Sequence, residues 1–301
     1  KKGIKIIGDI PIYVSQDGVD RRTHAELFQV DEKNNLSAVA GCPPDSFSAD
    51  GQIWGNPLYR WDYHRATGFD WWVTRMRHTF RLYDAVRLDH FRGFDEYFSV
   101  PFGATSALTG HWEKGPGMDL FNTLRWRLGE KELIVEDLGL MTDSVRKLVK
   151  DSGFPNMKVL QFAFDAADVG AANDYLPHNY DRNCVVYTGT HDNETVAGWL
   201  GRLDETEMKQ VRDYICDHST PDDKLYWRII SEAMKSSANI CIIPAQDYLG
   251  LDNNARMNQP STLSSNWSWR MRADALTEEL KQEVLTLTKR YGRFNWASVE
   301  E

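Results

Sequence analysis

No apolar run in this 301-residue chain approaches the roughly 20 residues that cross a bilayer as a helix. No secretory leader opens it either, so a membrane partner is not expected. Positive charge is in deficit. Lys and Arg number 35 against 44 Asp and Glu, a formal net charge of −9. Such a surface repels a phosphate backbone, which argues against nucleic acid as a partner. Cysteine is scarce, and Cys42, Cys184, Cys216 and Cys241 contain no C-x-x-C pair. Neither a metal cage nor a redox motif follows from that spacing, and mostly buried thiols in a reducing cytoplasm are the expectation. Repeats and low-complexity tracts are missing too, which excludes solenoid and fibrous classes.

What is present is a globular composition, 42% hydrophobic and 26% charged. That is enough to bury one large α/β barrel or two ordinary domains. Aromatics are plentiful, with 11 Trp and 12 Tyr. Aromatic faces stack on the C–H faces of sugars, but most Trp fill cores, and composition alone favours the core. The chain opens on Lys1-Lys2-Gly3 and runs straight into a strand, so it reads as a piece of a longer protein. Any targeting segment would then lie outside it.

Short apolar runs ending in polar or acidic residues recur at Ile4–Ile10, Ala85–Leu88, Leu133–Val135, Val159–Phe164, Val185–Thr188 and Ile240–Ala245. They read as buried parallel strands. Helical patterns lie between or after them, at Trp71–Leu82, Thr142–Ser152, Glu205–Asp217, Leu225–Ser236 and Glu278–Tyr291. This alternation predicts the α/β class, as a (β/α)8 TIM barrel with inserted subdomains, apparently lacking its first strands. Residues 1–301 would form this one catalytic domain. Two long stretches rich in Gly, Pro and aromatics, 15–65 and 96–130, read as insertions, with 43–57 as a lid loop over one end.

The strand ends carry the chemistry. Asp9, Asp89, Glu136 and Asp192 each follow a predicted strand, and parallel strands deliver such residues to one face of a barrel. A single acidic strand end is weak evidence, because Asp often caps helices. The joint pattern, flanked by Arg87 and His191, is stronger. Cleaving a glycosidic bond needs a proton donor at the leaving oxygen and an anion facing the oxocarbenium-like centre. Arg87 points to the same side as Asp89 and would keep it ionised. Glu136 has the longer reach and suits the acid, with its pKa raised by burial and neighbouring carboxylates. His191 and Asp192 are placed to bond adjacent sugar hydroxyls. Asp137 faces away from Glu136, and capping the next turn is its preferred role. Asp165 is either a sugar ligand or a helix cap.

These residues sit in longer motifs. They are Gly8-Asp9-Ile10-Pro11-Ile12-Tyr13-Val14, Gly41-Cys42-Pro43-Pro44-Asp45, Gly51-Gln52-Ile53-Trp54-Gly55-Asn56-Pro57, Val86-Arg87-Leu88-Asp89-His90-Phe91-Arg92-Gly93, Glu136-Asp137-Leu138-Gly139, Gly189-Thr190-His191-Asp192-Asn193, Arg256-Met257-Asn258 and Asn266-Trp267-Ser268-Trp269-Arg270. In order and spacing the chain resembles the α-amylase superfamily, and specifically the amylomaltase or disproportionating-enzyme family, glycoside hydrolase family 77. The resemblance implies a 4-α-glucanotransferase working by retaining double displacement. Asp89 would be the nucleophile, Glu136 the acid and base, and Asp192 the transition-state stabiliser. Asp9, Tyr13, Phe47, Gln52, Trp54, Asn56, Arg87, His90, Asp165, His191 and Asn258 would bind substrate. Donor and acceptor would be maltodextrins or glucans derived from starch or glycogen, with no metal or organic cofactor. The compartment would be the cytoplasm, or the plastid stroma in a plant.

One set of catalytic residues serves both transfer and hydrolysis, so acceptor binding decides between them. Phe47 and Trp54 are the candidate stacking platforms, although Trp54 also reads as the small core of its own loop. An α-glucan hydrolase and an inactive sugar-binding fragment remain as alternatives. Where the family commonly has an aromatic after Pro-Pro-Asp, a glycine after Asn-x-Pro and an apolar residue near position 21, this chain has Ser46, Ser261 and Arg21-Arg22. Family members also carry two further strands before the position of Lys1.

Overall fold

The computed structural model describes residues 3–44, 50–139, 141–164, 173–263 and 265–299. Internal contacts divide the chain into two compact units, Lys1–Asn156 and Met157–Glu301. The strands of the first unit are β1 (Ile7–Ile10), β2 (Ala38–Cys42), β3 (Gln52–Pro57), β4 (Ala85–Leu88), β5 (Glu96–Pro101), β6 (His111–Lys114) and β7 (Glu132–Val135). β1, β4 and β7 run parallel and in register, Ile7–Ile10 against Ala85–Leu88 and those against Glu132–Val135. Val135 pairs onward with Asn156, the first residue of β8 (Asn156–Val159).

Helices alternate with these strands. Asp70–Leu82 leads into β4 and buries Trp72, Met76 and Thr79, the i, i+4, i+7 stripe of an amphipathic helix. Met118–Leu128 packs beside it and leads into β7, burying Leu120, Phe121 and Leu124. Asp143–Ser152 follows β7 and stops at Gly153, whose φ of 69° supplies the left-handed terminus that glycine adopts without strain. The core between strands and helices is aromatic. Tyr59 is buried beside Phe28, Trp61 and Trp72, and its hydroxyl donates to Ile12 O at 2.7 Å. Arg75 lies over the Trp72 ring at 5.0 Å and donates to Pro11 O at 2.7 Å. Core side chains thereby grip the loop that leaves β1 toward Tyr13.

The stretches 15–65 and 96–130 are not independent loops. Each supplies two strands to one antiparallel sheet of order β3-β2-β5-β6. Leu36, Val39, Phe98, Val100 and Ala107 form its own small core. Gly41 is required in it, since a Cβ there would sit 2.5 Å from Gln52 O. Part of the segment expected as a lid loop is therefore the strand β3.

In the second unit β9 (Cys184–Tyr187) and β10 (Ile240–Ile242) pair in parallel register. The helices Val196–Arg202, Glu205–Ile215 and Leu225–Lys235 bury Trp199, Val211 and Ile229 in a common core. Glu205–Ile215 starts with a capping box, in which Asp204 accepts from the Glu207 N–H at 2.8 Å and Glu207 accepts from the Asp204 N–H at 3.0 Å. Such a cap contributes about 1 kcal/mol. Glu278–Arg290 is the last α-helix among the described residues and buries Leu287.

Two expectations need correction. The run Val159–Phe164 is not a strand: β8 ends at Val159, and Leu160–Phe164 is a 3-10 turn with Leu160, Ala163 and Phe164 buried. A short apolar run carries no period that separates the two. The thiols are not mostly buried either, because only Cys184 is, while Cys216 is exposed. None of the four forms a disulfide. Among the described residues, no helix is long and apolar enough to cross a membrane.

Candidate active site

Parallel register decides which side chains meet. Asp9 is the Cα partner of Arg87, and Arg87 and Asp89, two residues apart, emerge on one face. Arg87 Nη1 donates to Asp9 Oδ2 at 2.7 Å, and Nη2 lies 3.0 Å from Asp89 Oδ1. The Arg87 side chain is 10% exposed against 40% for Asp89, so a sheltered cation holds a carboxylate that stays open to substrate. Burial opposes the Arg87 charge, but Asp9, Asp89 and Glu136 outweigh it and raise its pKa, so the group stays cationic.

Glu136 follows β7 directly and is buried. Its Oε2 accepts from the His90 N–H at 2.8 Å and its Oε1 from the Leu138 N–H at 2.6 Å. Burial, and then the charge of Asp89, push its pKa up to about 7 against the pull of Arg87 and the two N–H donors. Both protonation states are therefore populated near neutrality, as a group that gives up a proton and retrieves one requires. Asp137 is buried, accepts from Asn156 Nδ2 at 2.8 Å and is not among the residues that line the cleft beside Glu136.

That cleft, of about 660 Å³, is lined by Asp89, His90 and Glu136 together with 11–16 and 54–56. Trp54 projects from β3, 38% exposed, and meets the His90 ring edge-on at 4.9 Å and the Tyr13 ring at 6.5 Å. It is thus not merely the core of its own loop. Gln52 accepts from Trp54 Nε1 at 3.0 Å, and Asn56 Nδ2 donates to Val14 O at 2.9 Å, tying β3 to the loop after β1. Burial, with the Arg92 charge behind it, pushes the His90 pKa down to about 4, so the imidazole is neutral. Burial raises the Tyr13 phenol, which keeps its proton as a donor.

A second cluster forms within the second unit, in the loop after β9. Asp192 Oδ1 accepts from Asn258 Nδ2 at 2.5 Å, and Oδ2 lies 3.3 Å from His191 Nε2. The His191 ring stands 5.1 Å from that of Trp267. Of the remaining expected ligands, Phe47 and Asp165 lie outside the described residues, as does Ser46.

Comparisons with known proteins show the family of the chain. Residues 1–277 match the model of the family described as 4-alpha-glucanotransferase. A 4-alpha-glucanotransferase of Clostridium butyricum is 46% identical over 97% of this chain and 60% of its own length. One from Streptococcus pneumoniae is 44% identical over 97% of this chain and 57% of its own. The chain belongs to the 4-alpha-glucanotransferase family. It spans about 60% of the length of such curated relatives. Among solved structures, the amylomaltase of Streptococcus agalactiae in complex with acarbose superposes with a TM-score of 0.92 at 39% identity, covering 97% of this chain and 58% of that one. The amylomaltase of Corynebacterium glutamicum, at 20% identity and a TM-score of 0.74, shares the fold. The βα alternation is accordingly that of a partial (β/α)8 barrel.

Within the family frame, Ser261 sits at φ 62°, a left-handed conformation that glycine adopts without strain. Arg21 reaches the Asn34 carbonyl instead of packing as an apolar residue. Sequence reading missed the roles of Arg256, which donates to Asp192 O, and of Asp247, which accepts from Thr188 and Val196. It also missed Ser15 and Gln16 in the cleft wall. Arg256 lay inside a quoted motif, two residues before Asn258. Nothing local marks Asp247.

Proposed function

We propose that the protein is a 4-α-glucanotransferase that moves α-1,4-glucan segments between maltodextrins through a covalent glucosyl-enzyme. One observation carries this reading: Arg87 Nη2 lies 3.0 Å from Asp89 Oδ1 in the same cleft in which burial raises the Glu136 pKa to about 7. A carboxylate beside a fixed cation and a second carboxyl that can hold a proton are what a glycosidic double displacement uses. Asp89 attacks the anomeric carbon while Glu136 protonates the departing oxygen. Glu136 then takes the proton from the incoming sugar hydroxyl, which displaces Asp89 with retention.

Asp192 stabilises the positive charge at the anomeric centre, with His191 and Asn258 engaging sugar hydroxyls beside it. Asp9 and Arg87 order the nucleophile. Tyr13, Gln52, Trp54, Asn56 and His90 line or brace the sugar groove; Phe47 and Asp165, also read as substrate ligands, lie outside the described residues. Transfer prevails because Trp54 presents an aromatic face to the acceptor beside the acid, favouring a sugar over water. The substrates are starch- or glycogen-derived glucans, and the reaction runs in the cytoplasm or a plastid stroma without metal or organic cofactor.

Incubation of the intact protein with maltotriose tests the reading. Transfer gives glucose plus a ladder of longer maltodextrins. Accumulation of shorter sugars alone means a hydrolase, and no turnover means an inactive binding module.

A further inference from the structure

We infer that Arg256 is the positioning residue of Asp192, setting the carboxylate through Asn258 rather than touching sugar itself. The inference rests on the reading of Asp192 as transition-state stabiliser.

The loop from Thr188 to Val196 carries His191 and Asp192, and it is held from three sides. Its two ends share one buried carboxylate: Asp247 accepts from Thr188 Oγ1 at 2.6 Å and from the Val196 N–H at 2.8 Å. Internally, Asn193 Oδ1 accepts from the Thr190 N–H at 2.9 Å and from its hydroxyl at 2.8 Å. These bonds define the loop's span, and within it His191 Nε2 lies 3.3 Å from Asp192 Oδ2. A second hold on the Asp192 carboxylate comes from a different segment. Asn258 donates its side-chain amide to Asp192 Oδ1 at 2.5 Å and its backbone N–H to His191 O at 3.0 Å.

Asn258 lies on an irregular stretch with no strand or helix to fix it. Arg256 supplies the fixation. Its Nη2 donates to Asp192 O at 2.5 Å and its Nε to Asn258 O at 2.9 Å. One planar guanidinium therefore laces the two segments together through two carbonyls. Its fork geometry cannot be copied by an ammonium, which is a point donor on a flexible stem. Both carbonyls belong to the residues whose side chains form the Oδ1 bond, so the guanidinium fixes the separation on which that bond depends. A shift of about 1 Å in a catalytic group can cost about a hundredfold in rate.

The experiment is a kinetic double-mutant cycle on the intact protein with maltotriose as substrate, using Arg256→Ala, Arg256→Lys, Asp192→Asn and Arg256→Ala combined with Asp192→Asn. Arg256→Ala is expected to lower kcat about a hundredfold with KM changed less than about threefold, because a transition-state contact is lost and ground-state binding is not. Arg256→Lys folds as wild type and recovers only part of the loss. The double variant is expected to be no slower than Asp192→Asn alone. Losses that multiply would overturn the inference, as would a KM rise at constant kcat, or full kcat in Arg256→Lys and Arg256→Ala alike with only the melting temperature lowered. Should Asp192→Asn itself keep full activity, the reading of Asp192 fails, an outcome separable from the Arg256 result.

Discussion

The backbone N–H of His90 donates to Glu136 Oε2 at 2.8 Å, and His90 makes this bond from a left-handed conformation at φ 51°. The same residue turns its ring against Trp54 at 4.9 Å. One strained position after β4 thus connects the buried acid to the aromatic wall of the cleft. Strain of this kind persists where the surroundings over-determine it, and here they do so through Glu136, Trp54 and Tyr13.

Replacing Asp89 by Asn should reduce transfer from maltotriose about 10³-fold or more, since the amide neither attacks carbon nor pairs with Arg87. The same change removes the charge that helps raise the Glu136 pKa, which should then fall below about 7. Carboxyl titration by difference infrared spectroscopy against Glu136→Gln reads that shift without needing turnover. An unmoved titration would remove the coupling.

Activity should follow the Glu136 proton. The free protein carries it below about pH 7, so kcat/KM should decline as pH rises through that value. Stability follows the same sign. Glu136 is raised from an ordinary 4.5 to about 7, so the folded state holds a proton that the unfolded chain has lost across that window. Its contribution is complete below pH 4.5 and lost as pH rises through 7, by at most about 3–4 kcal/mol at 1.4 kcal/mol per pH unit. Urea unfolding at pH 5 and pH 8 should show a smaller pH loss in Glu136→Gln than in wild type, and equal losses contradict the assignment.

Trp54→Ala should shift products from longer maltodextrins toward free glucose and short sugars while leaving Asp89 and Glu136 in place. The indole is over a third exposed, so melting should change little. A product ladder unchanged from wild type would leave Trp54 without an acceptor role.

Gly41→Ala should lower stability by about 1–3 kcal/mol, because the added methyl meets Gln52 O at 2.5 Å and pushes β2 from β3. Since β3 carries Trp54, acceptor use should weaken along with it. Chemical unfolding and the transfer-to-hydrolysis ratio check the two halves of this expectation.

Local pattern was enough to place the carboxyl groups at the strand ends and most of the framework around them. The helices at 70–82, 143–152, 205–215, 225–235 and 278–290 lie within a residue or two of their expected bounds, because each carries a 3.6-residue stripe or a cap. Asp9, Arg87, Asp89 and Glu136 could be grouped from sequence because register in a parallel sheet follows from strands of similar length ending in polar residues. The motifs gave the family for the same reason: catalytic side chains sit at fixed short offsets from the strands that present them.

What the linear pattern could not contain is pairing across distance. β2 and β3 join β5 and β6 over a gap of some forty residues, a choice made by side-chain packing around Val39, Phe98 and Val100 and not by any local period. Leu160–Phe164 turned where a strand was expected, since four apolar residues around Gln161 make too short a run to show a period. The Glu136 pKa near 7 needed burial and the Asp89 charge together, and both are properties of the folded surroundings. Residue types were thus determined by the sequence alone, as was their order along the chain. Their protonation and their fixed geometry were decided only when tertiary packing removed water and brought distant carbonyls and N–H groups into reach.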